Sequence, residues 1–344
     1  MRIGVILVTY GEPTRNSFVS QWLYSYAILR GLTRKVAAIP APVLPIIATS
    51  RAVARVKMWR KHAFTSPLEL LHQETADGLQ QELASRHGEE LPVIPAYEFR
   101  RPSLAESLRR LDQLGCTHAV VVPMYIAEGD FTHGLTRFGL EDAMKKTGWT
   151  GERLTMCTLA RCSFTEQRLA EVLAEHVLAS TRQAEISDLR RWAILLAAHG
   201  TVVDAMPGVD SGLLQFGRVL HRIKALLRPH AGLVRVGWLN HTRGGRWTSP
   251  AVADALKLVR ERGYERVVYF PWGFTTDNAE TALEGRIALA DMSPPLEKVH
   301  YVTCLNTSPA FVALLADRVL DHVADISEPP PPLQSSRAVP AFTR

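Results

Sequence analysis

Short apolar runs alternate along the chain with longer stretches in which apolar positions recur every three or four residues. The runs Ile3–Val8, Leu91–Ala96, Ala119–Tyr125 and a segment near Leu154–Leu159 read as strands. Between and after them, Leu68–Leu83, Leu104–Leu114 and Thr165–Leu178 carry helical spacing. The second half repeats the theme, with strands Ala193–Ala198, Leu233–Trp238, Arg266–Phe270 and Val299–Val302. Its helices are predicted over Gly212–Leu227, Ala251–Arg262, Ala279–Ala288 and Pro309–Val323. None of these strands alternates cleanly between apolar and polar residues, as a sheet with one wet face would, so both faces are expected to be covered and the sheets parallel. The pattern predicts an α/β chain of two doubly wound, Rossmann-like domains. The first is expected over residues 1–180 and the second over 190–325, with Ser180–Arg191 between them. Residues 326–344, which include "EPPPPLQSSRAVPAFTR", form a proline-rich tail expected to be disordered.

Length and composition agree with this division. A chain of 344 residues exceeds one ordinary core and suits two domains of about 150 residues each. The formal charge of +6 fits an anionic partner such as a polycarboxylate, a phosphate or a membrane surface. The basic residues are scattered and do not interleave with aromatics, so nucleic acid is not expected as a partner. Cys116, Cys157, Cys162 and Cys304 form no CxxC pair, and the opening "MRIGVILVTYGEP" has no secretory layout. A reduced, cytoplasmic protein is therefore expected. The most apolar stretch, Val36–Ala48, contains three prolines and is too short to span a bilayer, which leaves peripheral membrane contact open.

In doubly wound sheets ligands sit beyond the carboxyl ends of the strands. Four such ends stand out. They are "VTYGEP" with Tyr10 and Gly11, "PMYIAEGDFTHG" with Tyr125, Glu128, Asp130 and His133, "AAHG" with His199, and "YFPWGFTTDNAETALEG" with Asp277, Glu280 and Glu284. Thr276 or Asp277 can cap a helix on which Glu280 and Glu284 lie one turn apart on one face. An imidazole and one or two carboxylates meeting across a cleft can bind a divalent metal or pass protons to and from a substrate. Taken singly, each has a plainer reading: a core or capped histidine, a solvated helix face, glycines serving tight turns. There is no GxGxxG after a strand, no GxxxxGK[ST], no HExxH and no GxSxG, which disfavours dinucleotide and nucleoside-triphosphate enzymes and serine hydrolases.

Together these segments resemble the ferrochelatases, which insert ferrous iron into a porphyrin, and the resemblance runs in order over roughly residues 3–325. "GVILVTYGEP" is similar to the family's opening strand and its N-G-x-P or A-Y-G-T-P turn, and "TSPLELL" to its G-S-P-L segment. "AAHG" resembles the S-A-H-S/G motif of the catalytic histidine, which would be His199. "GWLNHTRGGRWTSP" follows W-Q-S-x-x-G-x-x-x-W-L-x-P, with Trp238, Trp247 and Pro250 in register. "PWGFTTDNAETALE" resembles P-x-G-F-x-S-D-H-x-E-T-L-x-E, and "CLNTSPAFVALLADRV" the S-L-N-x-x-P-x-F segment. There are departures. Asn278 stands where the family usually has histidine. "AYEFRRP" replaces G-x-R-Y-x-x-P, so Glu98 falls where an arginine is expected and Arg100 and Arg101 lie beyond it. "GTV" replaces S-L-P, and G-D-P-Y survives only as Gly208, Val209 and Asp210.

The resemblance implies a ferrochelatase acting on protoporphyrin IX or coproporphyrin III, with His199 and Glu280 catalytic. It further implies His199, Glu280, Glu284 and Tyr10 as metal contacts, and Tyr10, Ser66, Tyr125, Trp247 and Asn306 as substrate contacts. Iron would be a substrate, with no tightly bound cofactor. The cysteine set of iron–sulfur ferrochelatases is missing from the C-terminal region. The segment of about 27–61 has many Lys and Arg and no acid, and resembles the family's apolar lip, placed to touch anionic membrane. A lip of this kind suits protoporphyrin, whereas Tyr10 suits the more carboxylated coproporphyrin. The alternatives are a tetrapyrrole-binding protein without turnover and a related chelatase using another metal or macrocycle.

Overall fold

The computed structural model describes residues 1–33, 39–88, 90–204, 207–239 and 246–327. The tip of the basic segment at 34–38, residues 240–245 of the tryptophan motif and the tail from 328 onward lie outside the described residues.

Two four-stranded parallel sheets, flanked by helices, form the frame. The first has the order β2-β1-β3-β4, built from β1 (Ile3–Thr9), β2 (Val93–Tyr97), β3 (His118–Pro123) and β4 (Leu154–Met156). The second repeats the arrangement as β6-β5-β7-β8, from β5 (Ala193–His199), β6 (Leu233–Leu239), β7 (Arg266–Phe270) and β8 (Lys298–Tyr301). Every residue of β1 is buried, as is every residue of β5 except its last, His199. That is the signature of a central parallel strand covered on both faces, and it accounts for the unbroken apolar runs in the sequence.

The helices are α1 (Phe18–Thr33), α2 (Leu44–Lys61), α3 (Leu68–His87), α4 (Leu104–Gln113), α5 (His133–Thr147), α6 (Ser163–Gln183), α7 (Leu213–Leu227), α8 (Val252–Glu261), α9 (Gly285–Ala290) and α10 (Pro309–Ser327). The basic segment is a hairpin of α1 and α2 packed on each other. Two details differ from the sequence reading. The connection Ser180–Arg191 begins inside α6 and ends in a 3₁₀ turn. The helix expected over Ala279–Ala288 opens as a π turn, Glu280–Glu284, before α9.

The two halves share one continuous apolar core. Val5, Leu7, Val120 and Val122 of the first sheet join Ile194, Leu196, Val268 and Phe270 of the second through α3, α6, α7 and α10. The closing helix α10 packs on α3 of the first half, and Glu166 on α6, almost fully buried, pairs with Arg218 on α7 at 2.7 Å. Among the described residues no helix is long and apolar enough to cross a membrane.

Candidate active site

The central strands β1 and β5 deliver the turn Tyr10–Gly11–Glu12 and the side chain of His199. Gly11 has φ 79, and a Cβ there would lie 2.5 Å from Arg100 Cγ, so the turn admits no side chain. Gly273 lets the turn after β7 reach β5: a Cβ on it would lie 2.7 Å from that of Ala198. This close approach brings residues 277–280 to the end of β5.

There His199 Nδ1 lies 2.8 and 3.0 Å from the two carboxylate oxygens of Glu280. A carboxylate only accepts, so Nδ1 carries the proton and donates, leaving Nε2 with the basic lone pair. The His199 side chain is 54% exposed and that of Glu280 12%, so an open imidazole is oriented by a mostly buried acid. Burial draws the imidazole pKa down, but the charge and hydrogen bond of Glu280, with Glu284 beyond it, outweigh that effect and raise it above the ordinary 6.5. Because Glu280 and Glu284 stand on a π turn, with the Gly285 amide bonding back to the Glu280 carbonyl, they do not have the α-helical i, i+4 relation the sequence suggested. Such widened turns recur at functional sites.

The turn before Glu280 is held on every side. Asn278, where the family motif has histidine, is the cap: its Oδ1 accepts the amides of Glu280 (2.9 Å) and Thr281 (3.3 Å), and its Nδ2 donates to the Thr276 carbonyl. This corrects the expectation that Thr276 or Asp277 caps the helix. Asp277 instead accepts from the Thr281 hydroxyl, the Cys304 amide and Asn306 Nδ2, while its own amide donates to Asn306 Oδ1. Asn306, expected at the substrate, therefore has both side-chain functions engaged beneath the turn. From the other half, buried Glu12 accepts the Ala279 amide at 2.9 Å and the Ser66 hydroxyl at 2.6 Å. Ser66, also expected at the substrate, is thereby a positioning residue for Glu12. The sequence had not assigned Glu12 a role; its only signal was an acid directly after the turn glycine.

The facing wall is aromatic. The Tyr10 ring stacks on Phe99 at 6.0 Å and meets Tyr125 at 4.6 Å. The Tyr10 hydroxyl donates to the Phe131 carbonyl, and burial, followed by the charge of Glu98, pushes its pKa well up. Tyr10 is thus a neutral phenol already bonded. The joint metal set expected from His199, Glu280, Glu284 and Tyr10 is not assembled: among the described residues no three His, Cys, Asp or Glu side chains converge as a metal site. His133 opens α5 rather than ending a strand, and burial lowers its pKa to about 4. Trp238 packs in the core against Phe216, and Trp247 pairs through its backbone with Val202.

The sequence profile of the family described as Ferrochelatase matches residues 2–323. The chain belongs to the ferrochelatase family. Its curated relatives are distant. A ferrochelatase of Cyanothece sp. is 24% identical over 93% of this chain and 82% of its own length, and the mitochondrial ferrochelatase of Bos taurus is 22% identical over 94% and 77%. The fold is shared with SirB from Bacillus subtilis, described with Fe3+ (TM-score 0.54, 12% identity, 94% of this chain and 97% of that one). It is also shared with CbiX, described as the terminal enzyme of sirohaem biosynthesis in denitrifying bacteria (TM-score 0.51, 16% identity, 92% and 98%). In this ferrochelatase-family chain the histidine and glutamate of the family motifs are the two side chains that the fold brings into contact.

Proposed function

We propose that the chain is a tetrapyrrole metal chelatase that inserts ferrous iron into a porphyrin, with His199 and Glu280 as its catalytic pair. The single observation that carries this reading is the hydrogen bond between them at the end of β5. Metallation must remove two pyrrole protons from a ring whose nitrogen lone pairs point inward. An imidazole whose Nδ1–H is fixed by a carboxylate offers Nε2 as the acceptor, and Glu280 stabilises the imidazolium that forms. Glu280 and Glu284 supply hard oxygen donors that can pass ferrous iron, the second substrate, without trapping it. The near-parallel rings of Tyr10 and Phe99 offer an aromatic face for the macrocycle.

The hairpin adds an approach surface. Phe18, Val19, Leu23, Ile46 and Val53 are exposed on it, α1 and α2 contain no acid, and Arg30, Lys57, Arg60 and Lys61 are exposed. These features support peripheral contact with anionic membrane. Co-sedimentation with phosphatidylserine vesicles tests that contact, and no binding to them refutes it.

The function itself is tested anaerobically, with ferrous iron and protoporphyrin IX or coproporphyrin III followed by absorbance. Conversion to the metalloporphyrin is expected, with a loss of about a hundredfold or more in His199→Ala and Glu280→Gln. Porphyrin binding without metallation would overturn the proposal in favour of a binding protein.

A further inference from the structure

The edge strand β4 is less covered than the central strands. Leu154, Thr155 and Met156 are all half-buried, whereas β1 is buried throughout. Side chains alternate along an extended chain, so Leu154 and Met156 share one face, with Thr158 two residues further on. On α5, Arg137, Leu140, Glu141 and Met144 are spaced by three and four residues and share one stripe. The two rows line a cavity of about 450 Å³, completed by Glu128, Gly151 and Arg161. That volume falls among small-molecule sites, which span about 300–1,000 Å³.

The cavity has a polar and an apolar end. Because β3 and β4 are parallel neighbours, α5 runs back between them and its first turns lie by the carboxyl end of β4. Glu128 after β3, Arg137 on α5, and Thr158 and Arg161 after β4 gather there. Gln215 on α7 ties the two loops together at this end: its Oε1 accepts the Glu128 amide and its Nε2 donates to the Ala160 carbonyl. The polar rim is thus fixed from the second half. Among the described residues none of Glu128, Arg137, Glu141 and Arg161 is in an ion pair. Thr158 is 6% exposed, and among the described residues its hydroxyl has no hydrogen-bond partner. A buried polar group without a partner is uncommon and marks a place where a ligand atom or ordered water belongs. Towards the other end the lining is Met144, Leu154 and the bare Gly151.

We propose that this cavity binds a small zwitterion with an apolar body, of the class of the apolar α-amino acids. Its carboxylate takes the guanidinium groups of Arg137 and Arg161 and the Thr158 hydroxyl as donors, and its ammonium faces Glu128 and Glu141. Its apolar body lies on Leu140, Met144, Leu154 and Met156, and the two thioethers adapt to bodies of different shape. Both charges of the ligand are needed. An amphipathic anion alone sets its charge against two carboxylates, and a cation alone sets its charge against two guanidinium groups. The cavity lies at the edge of the first sheet and shares no residue with the His199–Glu280 pair or with the turn that carries Glu280.

The test is isothermal titration calorimetry of the full chain with L-leucine, L-methionine and L-phenylalanine. Octanoate serves as an anion without an ammonium, and hexylamine as a cation without a carboxylate. At least one of the amino acids is expected to bind once per chain with a Kd of about 1 mM or tighter. Arg161→Ala removes a donor from an exposed position, and Gly151→Leu fills the apolar end, where a Cβ on residue 151 would have nothing within 4 Å. Each should weaken binding by about tenfold or more while the circular dichroism stays that of the parent. If Gly151→Leu loses that signal, Arg161→Ala and Glu128→Gln decide the matter. No binding of any of the three amino acids at about 10 mM, or equal binding in the parent and the folded variants, overturns the proposal. Tighter binding of octanoate or hexylamine than of every amino acid overturns the zwitterion as the ligand class.

Discussion

Replacing Glu12 tests whether the two halves jointly hold the turn that carries Glu280. The carboxylate is 7% exposed and receives two close donors, the Ser66 hydroxyl at 2.6 Å and the Ala279 amide at 2.9 Å. A third, Arg55, lies at 3.4 Å and is partly exposed, so it adds little. In Glu12→Gln both close bonds can be kept, because both donors meet the one oxygen Oε2 and the amide oxygen can take its place. The loss is then the charge assistance alone. Bonds to a charged group contribute about 1.5–3 kcal/mol and neutral ones about 1, so a loss of about 1–2 kcal/mol is expected. Glu12→Ala leaves two buried donors unpaired, each costing about 1–3 kcal/mol, and about 2–6 kcal/mol in all. Urea unfolding followed by near- and far-ultraviolet circular dichroism, with coincident transitions, gives the stabilities. Turnover should follow the same order, because the freed amide directly precedes Glu280. An Ala variant as stable as the parent, or a Gln variant that loses as much as Ala, refutes the clamp.

Two further outcomes are expected. Because Glu280 raises the His199 pKa, Glu280→Gln should lower it, and the His199 ring-proton resonance should titrate at lower pH than in the parent; titration at the same or higher pH would contradict the pairing. With the folded value raised, this pair stabilises the fold fully below the ordinary value near 6.5 and loses that contribution as pH rises through the folded value. Asn278→His restores the family's usual residue yet removes an acceptor of two amides, so a loss of about 1–2 kcal/mol is expected in the urea midpoint, with no gain in iron insertion. Faster insertion in that variant would show that Asn278 is more than a cap.

Both sheets were legible in the sequence because central parallel strands are apolar on both faces and leave short unbroken runs. Helices α1 and α5 were not, and the reason is physical. α1 buries Gln21 and Ser25 while exposing Phe18, Val19 and Leu23, the reverse of the amphipathic rule. α5 buries His133, Gly134 and Thr136 in its first turn, so it also lacks a clean apolar stripe. At the site, His199 and Glu280 stood out through motif and strand-end position. Their neighbours did not, since Glu12 meets Ala279 across 267 residues and Asn306 meets Asp277 across 29. Nothing local to "YGEP" or "SLN"-like segments encodes a partner at that separation. Local chemistry did name Asn278 and Glu98 as departures, but only the fold shows one as a cap and the other as an acid accepting from Thr136 on α5.

The His199–Glu280 contact depends on both halves at adjacent residues. The backbone of Ala279 is held by Glu12 from the end of β1, and the side chain of Glu280 is bonded to His199 at the end of β5. Equivalent central strands of two repeated sheets thus grip neighbouring positions of one turn. The Glu12 carboxylate, within the family's opening motif, is buried and accepts from Ser66 and Ala279 through one oxygen, with Arg55 beside the other. Among the described residues Glu280 has the His199 imidazole as its side-chain partner and stays partly exposed. On the proposed reading the chemistry falls to Glu280, the more exposed of the two, while buried Glu12 fixes where Glu280 stands. A shift of one half against the other would move Ala279 relative to β5 and lengthen the His199–Glu280 bond. Packing between the halves, including Glu166 with Arg218 and α10 on α3, accordingly bears on the proposed proton transfer as well as on stability.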